Sequence, residues 1–199
     1  MISLLIKIKH QMPAIWHLAE KVNSFLGGVR YKQLKGKSAE VLQNKFLEGF
    51  SFSVVQPQDI PAIIEMYTGQ NPEYIKNFNP HPFNSKTLKE MSGNNAYSLM
   101  KVTEEASGEL AGYFFIRSFF VGKAFHGLIT AEKFANRGIG SAMWKISMEI
   151  CHSVGLRMFA TMSRDNKASY KSARNGTDVN IVDHLENNFI LIECQKLQN

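Results

Sequence analysis

Two glycines one residue apart, Gly138 and Gly140, stand directly before a patterned segment without proline. Apolar residues recur in that segment at Ile139, Met143, Ile146, Ile150 and Val154. This spacing predicts a helix with one buried face. Because glycine destabilises a helix, the pair at its start needs a reason. The unpaired N–H groups and the macrodipole of a helix N-terminus attract anions, and glycine lets an anion approach without meeting a Cβ.

Two interpretations of this glycine loop remain open from its residues alone. The first is an anion site, to which Arg137 offers a charge-assisted contact. The second is a tight turn from a strand into the helix. The common phosphate motifs do not fit: a Walker loop needs a lysine directly after Gly140, and a dinucleotide-binding loop needs a third glycine where Met143 stands.

The length is that of one ordinary globular domain, or of one domain with an appendage. The chain has 199 residues, of which 44% are hydrophobic and 20% charged, and this balance argues against intrinsic disorder. A formal net charge of +6 suits a polyanionic partner. The basic residues are nevertheless spread along the chain, so we expect no nucleic-acid partner; the alternative predicts binding that weakens steeply with salt.

Targeting and redox signals are weak. Lys7 and Lys9 interrupt the N-terminal apolar stretch, which makes a poor signal peptide, and no apolar run is long enough to span a bilayer. Cys151 and Cys194 show no metal-binding spacing, so we expect buried thiols and no metal site. We expect a cytoplasmic protein without a membrane partner, and a basic amphipathic N-terminus at a membrane surface is the alternative.

Residues 1–49 read as an N-terminal helical extension without a chemical motif. An amphipathic helix is predicted to stop at Gly27 and Gly28, and Ser38 is a candidate cap for a second short helix. We expect this extension to pack on the main domain or on a partner subunit, which leaves a homodimer open.

Residues 50–199 predict an α/β domain. The order of elements is strand, two helices, three strands, helix, strand, helix and a closing hairpin. Three consecutive strands predict an antiparallel meander, and the strand–helix–strand that follows predicts a parallel crossover. The expected fold class is therefore a mixed, mostly antiparallel central sheet flanked by helices.

The stretch from about Phe125 to Gly176 resembles the GNAT acetyltransferase superfamily. It contains the strand "AFHGLIT", the loop "AEKFANRGIGSAMW", the strand "LRMFATMS" and then Asn166. The family loop has the form [Q/R]-x-x-G-x-[G/A] and occupies Ala135–Gly140 here. By element order the resemblance covers roughly residues 50–199. It implies the acyl-CoA N-acyltransferase fold, with acetyl-CoA as the acyl donor.

The resemblance also implies roles in donor binding. Backbone N–H groups of the loop would hold the pyrophosphate of acetyl-CoA, and they belong to Asn136, Arg137, Gly138, Ile139, Gly140 and Ser141. The strand residues Leu128, Ile129 and Thr130 would pair with the pantetheine arm like an added strand. Asn166 would contact the same arm, and a backbone N–H near Leu128 would stabilise the developing oxyanion.

Two positions depart from the family pattern. The first loop position is Ala135 instead of Gln or Arg, and Arg137 is a candidate to compensate. Many relatives have a tyrosine seven residues after the asparagine that protonates the leaving thiolate, but here that position is Ala173. Tyr170, one turn earlier, is the candidate substitute. These departures keep open an alternative: a catalytically impaired CoA-binding module that acts as a sensor or partner-binding protein.

Acetyl transfer to an amine also requires a base or an ordered water to take the proton of the nucleophile. His126 lies on a predicted strand and can titrate near neutrality, although a structural histidine is the alternative. His81 lies in "FNPHPF", which looks like an acceptor-side segment of some relatives. It is a candidate base, and the alternatives are an acceptor contact or a loop histidine hydrogen-bonded to the backbone. Because nothing marks a covalent cysteine intermediate, we expect direct attack in a ternary complex.

The acceptor is predicted from resemblance alone. The N-terminal region, the "NPHPF" turn and the terminal hairpin resemble acetyltransferases of bacterial sugar and surface-polysaccharide pathways. This resemblance implies a small-molecule amine such as an amino sugar, with a protein N-terminus or a lysine as alternatives. The sequence thus predicts an acetyl-CoA-dependent N-acetyltransferase.

Overall fold

The computed structural model describes residues 13–197, with side chains from residue 21 onward. The strands are β1 (Phe50–Val54), β2 (Tyr97–Glu104), β3 (Leu110–Phe119), β4 (Lys123–Thr130), β5 (Arg157–Ser163), β6 (Asp178–His184) and β7 (Phe189–Gln195). The helices are α1 (Pro13–Arg30), α2 (Leu34–Val41), α3 (Ile60–Thr68), α4 (Pro72–Ile75), α5 (Ser85–Gly93), α6 (Ile139–Ser153) and α7 (Lys167–Gly176). Short 3-10 turns occur at Pro57–Asp59 and Glu132–Phe134. The part of the N-terminal extension before residue 13, including Lys7 and Lys9, lies outside the described residues.

The seven strands form one sheet in the order β1-β2-β3-β4-β5-β7-β6. Neighbouring strands are antiparallel except β4 and β5, which are parallel and are connected through α6. The predicted meander, the parallel crossover and the closing hairpin are all present. The predicted class, a mixed and mostly antiparallel sheet with flanking helices, is confirmed.

The parallel pair opens at the centre of the sheet. Pairing between β4 and β5 covers Lys123–Phe125 and Arg157–Phe159. Past Phe125, β4 continues along β3 to Thr130, while β5 continues along β7 to Ser163. The two strands therefore separate and leave a cleft, which the order of elements alone did not predict.

The two faces of the sheet are covered by different helices. Leu34 of α2 and Met143 of α6 are fully buried in a large cluster on one face. Ile63 of α3 and Leu88 of α5 are fully buried in a smaller cluster on the other face. No helix in the described range 13–197 is long and apolar enough to cross a membrane.

The predicted end of the first helix at Gly27 and Gly28 is wrong, because α1 runs through both glycines to Arg30. A Cβ at Gly27 would lie 3.2 Å from the carbonyl oxygen of Ser118, and one at Gly28 would lie 3.3 Å from the amide nitrogen of Ala96. The glycines therefore let the helix approach the ends of the sheet closely, and they do not mark its end.

The predicted cap at Ser38 is also wrong. The helix α2 begins at Leu34, so Ser38 lies inside it, and its hydroxyl donates to the carbonyl of Leu34 at 2.8 Å. Ser38 is fully buried, and the hydroxyl of Ser98 on β2 donates to it at 2.7 Å. It thus ties α2 to the sheet.

The face of α1 that points away from the sheet is apolar and exposed. Among residues 21–30, where the structure describes side chains, the exposed large apolar side chains are Val22, Phe25, Leu26 and Val29, spaced as one stripe of a helix. The opposite face docks through Asn23, whose Oδ1 accepts from the amide of Phe120, and through Arg30, which donates to the carbonyl of Phe120 at 2.6 Å.

Candidate active site

The edge of β4 that faces the cleft carries backbone groups that bond to no neighbouring strand, and one of them, the carbonyl of Thr130, accepts from the Tyr74 hydroxyl at 3.1 Å. The amide of Ala131 donates to the carbonyl of Ala111 at 2.9 Å, so at that residue the backbone bonds toward β3. Because successive residues of a strand alternate, the N–H and C=O groups of Thr130 and Leu128 point away from β3 and toward the cleft. A strand-like ligand can therefore pair with this edge.

The glycine loop connects this edge to the N-terminus of α6. Gly138 is the N-cap of the helix with φ +82°, and no side chain caps the helix at that position. Asn136 also lies in the left-handed region, at φ +62°. The left-handed turn requires glycine at 138, and the first N–H groups of α6 remain available for an anion.

Gly140 has a different structural reason. A Cβ at Gly140 would lie 3.2 Å from Cβ of Ser172 on α7. At the other end of the contact, a Cβ at Gly176 would lie only 2.4 Å from the carbonyl oxygen of Ser141 and 2.7 Å from Cβ of Trp144. The two glycines let α7 lie directly against the first turn of α6. The turn interpretation of the loop thus has structural support, and it coexists with an anion site.

Arg137 points toward the sheet. Its Nη1 donates to Oε1 of Glu104 at 2.5 Å, and its guanidinium carbon lies 4.7 Å from the ring centroid of Phe50. The hydrogen bond from Arg137 lowers the pKa of the Glu104 carboxyl. These contacts occupy the side chain, so its role beside a phosphate stays a prediction.

Asn166 follows β5 on the opposite side of the cleft. Its Oδ1 accepts from the amide of Ser169 at 3.0 Å and caps α7, which leaves the amide nitrogen as a donor for a ligand. Tyr170 is half-buried one turn further and packs on the larger cluster. Ala173 is fully buried, so a tyrosine at this position would overpack the core.

His81 is hydrogen-bonded through both ring nitrogens. Its Nδ1 lies 3.1 Å from the carbonyl oxygen of Pro82, and its Nε2 lies 3.2 Å from the hydroxyl of Tyr113. Because a carbonyl only accepts, Nδ1 carries the hydrogen in the neutral ring and Nε2 accepts from Tyr113. Burial lowers the pKa of His81 and raises that of the fully buried Tyr113. The ring is thus neutral, and able to take a proton, near pH 7.

Aromatic side chains surround His81 above β4. Its ring centroid lies 4.6 Å from that of Phe83 and 5.5 Å from that of Phe115. Phe115 pairs with Gly127 of β4, where a Cβ would lie 2.6 Å from the Phe115 ring. Tyr113 pairs with Ile129, which is buried in the same cluster. We call Phe83, Tyr113 and Phe115 the aromatic group, and it places His81 on the face of the sheet beside the cleft.

His126 lies on the other face, in the core. Its side chain is 6% exposed, and its ring centroid lies 4.5 Å from that of Trp144 on α6. Burial lowers the pKa of His126 to about 3, and the opposing effect of a backbone contact with Phe115 is smaller. An acceptor amine does not reach this ring. The structure therefore argues against His126 as the base and supports the alternative of a structural histidine.

An opened parallel strand pair, with an uncapped helix N-terminus beside it, suits a long ligand that carries a phosphate. The acetyltransferase (GNAT) family model matches residues 63–176, more than half of the chain. The chain belongs to this family. It is an N-acetyltransferase, and acetyl-CoA is its donor substrate.

Solved structures show the same fold. The GNAT domain of S. lividans PAT has a TM-score of 0.63 at 12% identity, covering 72% of this chain and 89% of that domain. The ribosomal L7/L12 α-N-protein acetyltransferase RimL, in complex with coenzyme A, has a TM-score of 0.61 at 15% identity, covering 77% and 97%. A spermidine N-acetyltransferase chimera from Vibrio cholerae and hSSAT has a TM-score of 0.59 at 11% identity, covering 74% and 93%. None of the curated proteins compared matches the chain.

Proposed function

We propose that the protein transfers the acetyl group of acetyl-CoA directly to the amine of a small molecule, in a ternary complex. The observation that carries the proposal is the edge of β4 at Leu128 and Thr130, which pairs with no strand on the cleft side, with His81 and the aromatic group beside it. The edge suits the donor, and His81 suits the deprotonation of an acceptor.

In this proposal the donor lies along the cleft. The pantetheine arm pairs with the outward groups of Leu128 and Thr130, and the N–H groups from Asn136 to Ser141 hold the pyrophosphate. Asn166 donates to the arm from the β5 side. The outward N–H of Leu128 donates to the thioester oxygen as negative charge develops on it.

The amine nitrogen of the acceptor attacks the thioester carbonyl carbon, and the carbon–sulfur bond breaks. Nε2 of His81, once released from the Tyr113 hydroxyl, takes the proton that the amine loses, directly or through a water. The released CoA thiolate takes a proton from Tyr170, which remains our candidate acid because Ala173 has no ionisable group.

Within the aromatic group, the half-buried Phe83 supports a small cationic acceptor, whereas Tyr113 and Phe115 are buried. An aromatic face attracts an ammonium group before deprotonation, and it offers a flat apolar surface to a sugar ring. An amino sugar therefore remains the preferred class. RimL and the Vibrio cholerae chimera are described as acting on a ribosomal protein and on spermidine, so a peptide N-terminus and a polyamine are the alternatives.

The first test is calorimetric titration with acetyl-CoA, followed by a panel of amino sugars, polyamines and peptides, with release of free thiol as the assay.

The second test is a substitution of the candidate base. His81→Gln should lower kcat about a hundredfold, since general bases contribute about 10²–10⁴, and should leave donor affinity unchanged. The pH limb of kcat/KM that reports His81, expected below its ordinary pKa of 6.5, should disappear. His152→Gln, an exposed change on α6, is the matched control. Full activity of His81→Gln would refute the assignment.

A second function is favoured by Ala173, which puts a buried methyl group at the position of the usual acid. A catalytically impaired module would bind CoA with ordinary affinity and release no thiol with any acceptor in the panel. Turnover with one acceptor class would exclude it.

The exposed stripe of α1 supports assembly into a homodimer. Val22, Phe25, Leu26 and Val29 form a continuous apolar face, and a second copy carries an identical face. A twofold axis beside the helix would bury both stripes against each other.

A further inference from the structure

Tyr74 on α4 reaches the free edge of β4. Its hydroxyl donates to the carbonyl oxygen of Thr130 at 3.1 Å. That carbonyl points toward the cleft, because the next amide, of Ala131, bonds toward β3. The hydroxyl therefore occupies a hydrogen-bond acceptor that a strand-like ligand on this edge would use.

A second contact holds the same segment. Oε1 of Gln70 accepts from the amide of Glu132 at 2.7 Å, and Nε2 of Gln70 donates to the carbonyl of Met66 at 2.5 Å. Glu132 lies just past the end of β4, in the 3-10 turn, and its amide bonds to Gln70 instead of to β3. The chain between α3 and α4 is thus attached to two successive backbone groups at the end of β4.

We propose that Tyr74 is a latch on the donor site, which an amide N–H of the pantetheine arm displaces from the Thr130 carbonyl. The inference rests on the proposed pairing of that arm with β4. A strand-like partner would bring its nitrogen to about 2.9 Å from the oxygen, and the phenol oxygen lies 3.1 Å from the same atom. In this proposal the two donors compete for the Thr130 carbonyl, and the empty site is stabilised relative to the occupied one.

The chemical state of Tyr74 fits this role. Burial, and then the neighbouring Glu132 carboxylate, raise the pKa of its hydroxyl. The hydroxyl consequently stays protonated, and able to donate, over the range in which an acetyltransferase is assayed.

The test is calorimetric titration of Tyr74→Phe with CoA and with acetyl-CoA, in the absence of an acceptor. Deleting one neutral competing hydrogen bond should lower the dissociation constant about two- to tenfold. Tyr67→Phe is the matched control, because the Tyr67 hydroxyl donates to the carbonyl of Phe78 at 3.0 Å, away from β4. Its donor affinity should equal that of the wild type.

Hydrogen exchange on the wild-type protein gives an independent measurement. Saturation with CoA should increase amide exchange at residues 71–76, because the latch opens. Donor binding by Tyr74→Phe that is no tighter than wild type, or increased protection of residues 71–76, would overturn the latch alone. Absence of CoA binding by the wild type would overturn the proposed function and the latch together.

Discussion

The contact between Gly176 and the first turn of α6 leads to a sharp prediction about stability. In Gly176→Ala the new methyl group would lie 2.4 Å from the Ser141 carbonyl oxygen, 2.7 Å from Cβ of Trp144 and 3.1 Å from the amide nitrogen of Lys145. Two of these atoms are backbone atoms of α6, so no side-chain rotation relieves the clash.

The magnitude follows from the cost of overpacking. Extra methylenes in a packed interior destabilise a protein by about 1–3 kcal/mol, and a clash with helix backbone belongs at the upper end. For a domain of this size each kcal/mol lowers Tm by about 2–4 °C. We therefore expect a loss of about 2–3 kcal/mol and a fall in Tm of about 4–12 °C, measured by urea unfolding and by thermal melting.

Gly36→Ala is the matched control. Gly36 is an exposed residue of α2, and a Cβ there has no heavy atom within 4 Å. The same substitution should therefore stabilise the protein by about 0.5–1 kcal/mol, through helix propensity. A Gly176→Ala variant as stable as the wild type would refute the argument that this glycine permits the contact between α6 and α7. Displacement of the first turn of α6 should also weaken acetyl-CoA binding by Gly176→Ala, and not by Gly36→Ala.

Two further predictions concern pH and assembly. The folded pKa of His126, about 3, lies below its ordinary value of 6.5, so within that window the unfolded chain binds a proton that the folded chain does not. The free energy of unfolding should thus fall by up to about 1.4 kcal/mol per pH unit on acidification from pH 6.5 toward 3. In urea unfolding, the stability of His126→Leu should depend less on pH. An unchanged pH dependence would contradict the buried, neutral state of His126. Phe25→Lys, at a side chain 69% exposed on α1, should convert a dimer to a monomer in sedimentation, whereas Ile181→Lys on β6 should not. A wild type that is monomeric at all concentrations would refute the dimer.

The fold could be predicted where local sequence patterns determine the helices and strands. The strands from β1 to β7 and the helix after the glycine loop follow periodicity and turn residues, which act over a few neighbours. The separation of β4 from β5 past Phe125 was not predictable, because pairing depends on which strand lies alongside. The prediction that the helix stops at Gly27 and Gly28 was wrong for the same reason. These glycines allow close contact between the helix and the sheet, and that contact depends on the tertiary fold.

The candidate site was predictable where backbone geometry dominates. The loop from Asn136 to Ser141 requires a turn, and the edge at Leu128 and Thr130 requires a strand. Local sequence patterns predict both. The choice between His81 and His126 was not predictable, because each lies next to aromatic residues and only the tertiary fold shows which face each one occupies. Tyr74 gave no signal at all, since its contact joins a short helix to a strand far along the chain.

The glycines in and around the first turn of α6 have different structural roles. Gly138 is required by a positive φ, whereas a Cβ at Gly140 would lie tightly against Cβ of Ser172, and a Cβ at Gly176 would clash with the carbonyl oxygen of Ser141. None of these reasons involves a ligand, yet together they fix the first turn of α6 against α7 and leave its N–H groups uncapped. An anion site at this turn therefore depends on glycines that need not touch the anion. If so, Gly140→Ala should weaken acetyl-CoA binding through displacement of α7, and a compensating Ser172→Gly change, which removes the clashing Cβ, should restore it. Failure of that rescue in calorimetry would instead assign Gly140 to direct contact with the donor.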